Sequence, residues 1–246
     1  MELAPTPPAP ADRRTLYEEM LAVLAVSLLA SAAYAIVSLV TTPVRGTVAY
    51  ATDQNPLFAN QLLGFVFGLA PAFLVVHLVR RDREGVGSIG LTWDRPRRDL
   101  TRGIALFAVI AAAGLGIYLL AVTLGVNRFV VPAPPPDHWW TYPALLMNAT
   151  GAAVLEEVIV LGYLVTRLQQ VGWSPVVAVV GCALLSGCYH LYQGWGGFAG
   201  NLLMGLLFGF LFLRWRRTWP FVIAHLLLDT AAAVGWLLFH QHLPGG

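Results

Sequence analysis

From Ala144 to Thr166 the chain is apolar and long enough to cross a bilayer as a helix, and its only charges are two neighbouring carboxylates, Glu156 and Glu157. A carboxylate near the middle of a membrane costs about 2.5 to 3.5 kcal/mol on insertion scales, so it survives there through a close partner or a protonated form. Successive residues of an α-helix point about 100° apart. The two acids therefore cannot aim at one point, and they are expected to play two different roles. The plain alternative is a buried pair that staples two helices together.

The remainder of the chain has the same solvent. Apolar residues make up 57% and charged residues 11%, with a mean hydropathy of +0.68, which excludes a water-soluble domain. All fifteen basic residues are arginine, and twelve of them gather at Arg13-Arg14, from Arg80 to Arg102, and from Arg214 to Arg217. Apolar runs without interleaved basic residues separate these clusters. They read as flanks of membrane spans, and nucleic acid is not expected as a partner. Cys182 and Cys188 fall on roughly opposite sides of one helix, so neither a mutual disulfide nor a metal pair is expected of them.

Taken in order, residues 1–15, rich in proline, read as a disordered cytoplasmic tail, and residues 16–246 as one membrane-embedded helical domain. Spans are expected at about 20–40, 57–79, 103–124, 144–166, 173–190, 198–213 and 218–239. The loop from Arg80 to Arg102 holds seven arginines and by the positive-inside rule faces the cytoplasm. The stretch from Val130 to Pro143, with four prolines at 132 and 134–136 and then Trp139-Trp140, belongs on the outer face. With the N-terminus inside, seven spans leave only Arg45 and Arg128 of the fifteen arginines outside. The expected class is all-α, a polytopic helical bundle of about seven spans in the plasma (inner) membrane. Gly114 with Gly116, and Gly205 with Gly209, suggest close helix packing.

Three of these spans carry ionisable groups at membrane depth. The fourth has Glu156 and Glu157, the fifth His190, and the seventh His225 and Asp229, which lie one turn apart on one helix face. Such groups can bind a metal, orient a water or move a proton, since a carboxylate serves as base and an imidazole both donates and accepts near neutral pH. A hydrogen-bonded knot that only fixes the bundle would use the same residues. Their spread over three helices favours function. His77, His138, His240 and His242 read as interfacial or loop residues.

The stretch Leu155-Glu-Glu-Val-Ile-Val-Leu-Gly162-Tyr-Leu164, then His190, then Ala224-His225-Leu-Leu-Leu-Asp229, resembles the three motifs of the CPBP intramembrane proteases (CAAX protease and bacteriocin-processing, also called Abi). The likeness runs from about residue 144 to 232. It implies a glutamate-dependent peptidase acting on a membrane-associated or prenylated peptide or protein, in contact with membrane lipid. Carried over by position, it implies Glu156 as base, Glu157 as its neighbour, His190 as a water or metal contact, and His225 with Asp229 on the oxyanion or metal side. A divalent metal such as zinc would take about three protein ligands, which His190, His225 and Glu156 would supply. Two positions depart from the pattern: Leu161 stands where an arginine is usual, and Ser186 where an aromatic is usual. Arg167 is about 16 Å further along the axis from Glu156, too far to replace that arginine directly. The competing functions are a catalytically degenerate relative serving as an immunity or scaffold protein, and a proton-coupled transporter, for which no inverted repeat is visible.

Overall fold

The computed structural model describes residues 13–41, 47–49, 58–126, 129–131 and 139–239. Residues 1–12 of the tail expected at 1–15, Arg45, Arg128, the prolines between 132 and 136, His138, His240 and His242 lie outside them, while residues 13–15 of that tail are already helix. In chain order the elements are α1 (Arg13–Ala25), α2 (Leu28–Thr41), β1 (Thr47–Ala49), α3 (Phe58–Gly68), α4 (Ala70–Arg81), α5 (Pro96–Thr123), β2 (Phe129–Val131) and α6 (Thr141–Glu156). A π-helical segment (Glu157–Leu164) follows, then α7 (Val165–Gln170), α8 (Pro175–Tyr189), α9 (Trp195–Trp215) and α10 (Trp219–Phe239). β1 and β2 pair in parallel over three residues each. Otherwise the described chain is a helical bundle.

Among the described residues five helices are long and apolar enough to cross a membrane: Leu62–Arg81, Pro96–Thr123, Thr141–Gln170, Trp195–Trp215 and Trp219–Trp236. These answer to five of the seven expected spans. The segment expected at 173–190 is apolar helix, but it is 15 residues long, about 22 Å at 1.5 Å per residue. The segment expected at 20–40 is broken between α1 and α2, where Ser27 Oγ donates to the Val23 carbonyl at 2.5 Å and competes with the helical ladder. Large apolar side chains such as Phe67, Phe73, Val109, Leu115 and Leu238 point outward. That is what an acyl-chain solvent permits.

Local chemistry sets the ends of the helices that matter most. α8 starts where Ser174 Oγ accepts the Val177 N–H at 3.3 Å with Pro175 in the first turn, and α5 also begins on a proline, Pro96. Gly205 and Gly209 do form a close face: a Cβ on Gly209 would stand 2.5 Å from Val179 Cγ1 on α8. Gly114 and Gly116 differ from expectation, because a Cβ at either meets nothing within 4 Å. α5 makes its close approach through Gly103 instead, where a Cβ would lie 2.6 Å from Ile223 Cγ2 of α10.

The centre of the bundle is the π-helical segment, all eight residues of which are buried. The Val165 N–H at its end donates to the Val160 carbonyl, five residues back. Such inserted turns recur at functional sites. Its Gly162 is pressed against a turn from another part of the chain, since a Cβ there would lie 2.8 Å from Ile89 O and 3.1 Å from Thr218 Oγ1. Thr218 Oγ1 donates to Ile89 O at 2.6 Å, and the Thr218 N–H donates to Gly90 O at 3.0 Å. The π segment, the 86–90 turn and the start of α10 thus meet at one junction.

That junction sits among the arginines. Arg217, just before α10, donates from Nε and Nη2 to both oxygens of Asp99 at 2.6 and 2.5 Å, and from Nη1 to Asp94 at 2.7 Å. Asp99 is 0% exposed. Arg167, 1% exposed, donates to Glu84 at 2.8 Å and to Asp82 at 2.6 Å. Arg81 pairs with Glu19, and Arg216 donates to Gln169 at 2.9 Å. Segments far apart in sequence therefore gather at one Arg-rich end of the bundle.

Candidate active site

Glu156 is the last residue of α6 and Glu157 the first of the π segment. Their side chains go to different neighbours, as two acids about 100° apart must. Glu157 Oε1 lies 2.8 Å from His225 Nδ1 on α10, in a buried contact. Glu156 Oε2 accepts the Tyr189 O–H at 2.8 Å from the last turn of α8. The far nitrogen of His225, Nε2, is 3.6 Å from Asp229 Oδ2, a charge contact beyond hydrogen-bond length.

His190 caps α8, and its Nδ1 donates to the Ser186 carbonyl at 3.0 Å. Because a carbonyl only accepts, the proton is on Nδ1, and the neutral ring keeps a lone pair on Nε2. The His190 ring lies against that of Tyr189, centroids 4.7 Å apart, and Tyr189 in turn holds Glu156. Groups from α6, the π segment, α8 and α10 are thus in one neighbourhood.

A cavity of about 320 Å³, counting the part open to the outside, adjoins the two glutamates. Glu156, Glu157, Leu161, Ser186, Tyr189 and Phe208 are in its wall, with Cys182 and Gly205. It is a mostly apolar space with acids and hydroxyls at one side. Neither His190 nor His225 lines it.

Residues 138–231 match the family model described as type II CAAX prenyl endopeptidase Rce1-like. Within these residues fall α6, the π segment, α7, α8, α9 and the His225–Asp229 turn of α10, so the match covers every group just described. No curated protein and no solved structure matches the chain. A peptidase of the membrane interior is the class that the family match supports.

Within the matched segment the expected residues fall into two hydrogen-bonded sets: Glu157 with His225, Asp229 beside it, and Glu156 with Tyr189, His190 beside it. The sequence reading missed Tyr189, and it took Ser186 only as a departure from a motif. The available signal was their spacing, since residues three and four after Ser186 on a helix share its face. Leu161 is in the cavity wall, where it offers no charge to either acid. Arg167 is committed to Asp82 and Glu84, as its distance from Glu156 implies.

His190, His225 and Glu156 do not assemble as the expected metal ligands. Among the described residues no three His, Cys, Asp or Glu side chains converge as a cation would require. The donor set as arranged does not fit a metal cage, and the chemistry below uses the chain's own residues. Both cysteines are free, with Cys182 buried in the cavity wall.

Proposed function

We propose that this chain is an intramembrane, glutamate-dependent endopeptidase that hydrolyses a peptide bond in a membrane-associated or prenylated substrate. The observation that carries this reading is Glu156 in the wall of a cavity, held at 2.8 Å by Tyr189, beside the buried Glu157–His225 pair.

In this mechanism Glu156 removes a proton from a water as the water oxygen attacks the scissile carbonyl carbon. His190, its Nδ1–H tied to Ser186, presents Nε2 to the same water. The carbonyl π electrons move onto oxygen, and His225 donates to that oxyanion from Nε2. Glu157 on Nδ1 and Asp229 near Nε2 supply the charge that a doubly protonated ring needs. When the tetrahedral centre collapses, the C–N bond breaks and Glu156 returns its proton to the leaving amine. Glu157 and Asp229 orient His225, and Glu156 alone takes the proton from water.

The gathering of Arg80–Arg102, Arg167 and Arg214–Arg217 at one end supports placing that end, with the N-terminus, in the cytoplasm of a plasma (inner) membrane protein. The substrate bond would then be reached from within the bilayer.

Glu156→Gln keeps the side-chain shape and removes the base. In proteoliposomes with a prenylated, internally quenched peptide, the expected loss is about 100-fold or more in kcat, the scale of general-base catalysis. Cleavage by the variant at the wild-type rate would rule out this chemistry.

A further inference from the structure

We infer that Tyr189, backed by Ser186, is the positioning residue for Glu156: the phenol fixes one carboxylate oxygen and leaves the other, Oε1, as the atom that receives the proton. This rests on Glu156 acting as the base. Among the described residues Glu156 is in no ion pair, and its carboxylate accepts one hydrogen bond, from Tyr189 at 2.8 Å. A carboxylate alone on a long side chain in an open cavity would sample many orientations, and a base must be held within hydrogen-bond reach of its water. Here the hold comes from a neutral donor on another helix.

Ser186 ties this hold to the histidine. A tyrosine hydroxyl has a single hydrogen, and that hydrogen goes to Glu156, so at 3.2 Å the Ser186 hydroxyl donates to the phenol oxygen. The carbonyl of the same residue accepts the His190 Nδ1–H at 3.0 Å. One residue of α8 therefore sets the phenol that orients the base and also the tautomer of the imidazole beside it. Ser186 and Tyr189 are 6% and 5% exposed, so water competes little for either bond. The serine standing where the related motif has an aromatic is the piece that makes the arrangement work.

The test uses the full chain in proteoliposomes with the same prenylated, quenched peptide. Tyr189→Phe keeps the ring and removes the donor. It should lower kcat by about 10- to 100-fold, the worth of a hydrogen bond to a charged group, with KM changed less than about 2-fold. Ser186→Ala should lower kcat less, and the double variant should be no slower than Tyr189→Phe alone. An unchanged kcat in Tyr189→Phe, or a loss confined to KM, overturns the inference. A second measurement stands apart from activity: melting temperatures of Tyr189→Phe, Glu156→Gln and the pair. Non-additive shifts, by about 2 °C or more, support the hold, and additive shifts overturn it. If wild-type protein leaves the peptide uncut, the peptidase reading fails, and the melting cycle alone then decides whether Tyr189 holds Glu156.

Discussion

Adding one methyl group at Gly162 tests whether the junction of the π segment, the 86–90 turn and α10 holds the site together. In Gly162→Ala the new Cβ would lie 2.8 Å from Ile89 O and 3.1 Å from Thr218 Oγ1. Neither neighbour can turn away. Ile89 O already accepts from Thr218 Oγ1 at 2.6 Å, and Thr218 is pinned by its N–H to Gly90 O at 3.0 Å. Ordinary carbon-to-oxygen contacts begin near 3.3 Å, so the junction must open by about half an ångström. Gly235→Ala is the control, because a Cβ there meets nothing within 4 Å. Both changes relieve a glycine of its entropy cost on folding, so their difference isolates the steric part, about 1 to 3 kcal/mol for an overpacked interior. At about 2 to 4 °C per kcal/mol for a chain of this size, Gly162→Ala should melt about 2 to 12 °C below Gly235→Ala in the same detergent. The opening also moves α10 against the π segment and lengthens the 2.8 Å contact between Glu157 and His225. Peptidase activity should therefore fall further in Gly162→Ala than stability does, toward the about 100-fold that a misplacement near 1 Å can cause. Equal melting temperatures for the two variants would refute the wedge.

Arg217→Met leaves Asp99 buried without its cation, which should destabilise by about 3 to 5 kcal/mol and lower the melting temperature by about 6 to 20 °C. Removing both partners in Asp99→Leu with Arg217→Met should restore most of that loss, and a double variant no better than Arg217→Met would count against the pair as drawn. The Asp94 carboxyl, outside the membrane, is held at about 2 against its ordinary 3.8, chiefly by hydrogen bonds from Arg217 and then Thr92. A carboxyl lowered on folding stabilises fully above its unfolded value and loses that contribution as pH falls through its folded one. Wild-type melting temperature should hence drop more steeply than that of Asp94→Asn between about pH 4 and pH 2, and parallel curves would contradict the contact.

The amino-acid sequence alone was sufficient for the solvent and for most of the helices. Transfer to lipid is a free energy summed residue by residue along the chain, so runs such as 103–124, 144–166 and 198–213 announce helices without knowledge of their neighbours. Local chemistry also placed the start of α8 at Ser174-Pro175, the packing face of Gly205 and Gly209, and the one-turn spacing of His225 and Asp229. It did not reveal the break after Ala25, where one serine hydroxyl competes with the backbone in an apolar run that reads as continuous.

What surrounds each acid was decided elsewhere. The sequence places Glu156 and Glu157 side by side. That one meets Tyr189 and the other His225 depends on how far α6, α8 and α10 are rotated against one another. The rotation is set by contacts between distant residues: Gly162 against Ile89 and Thr218, and Arg217 against Asp99. The same contacts accommodate a π segment where the sequence predicts plain α-helix, which shifts the phase of everything after Glu157. Hydropathy has no term for such pairings, because they exist only once separate helices have packed.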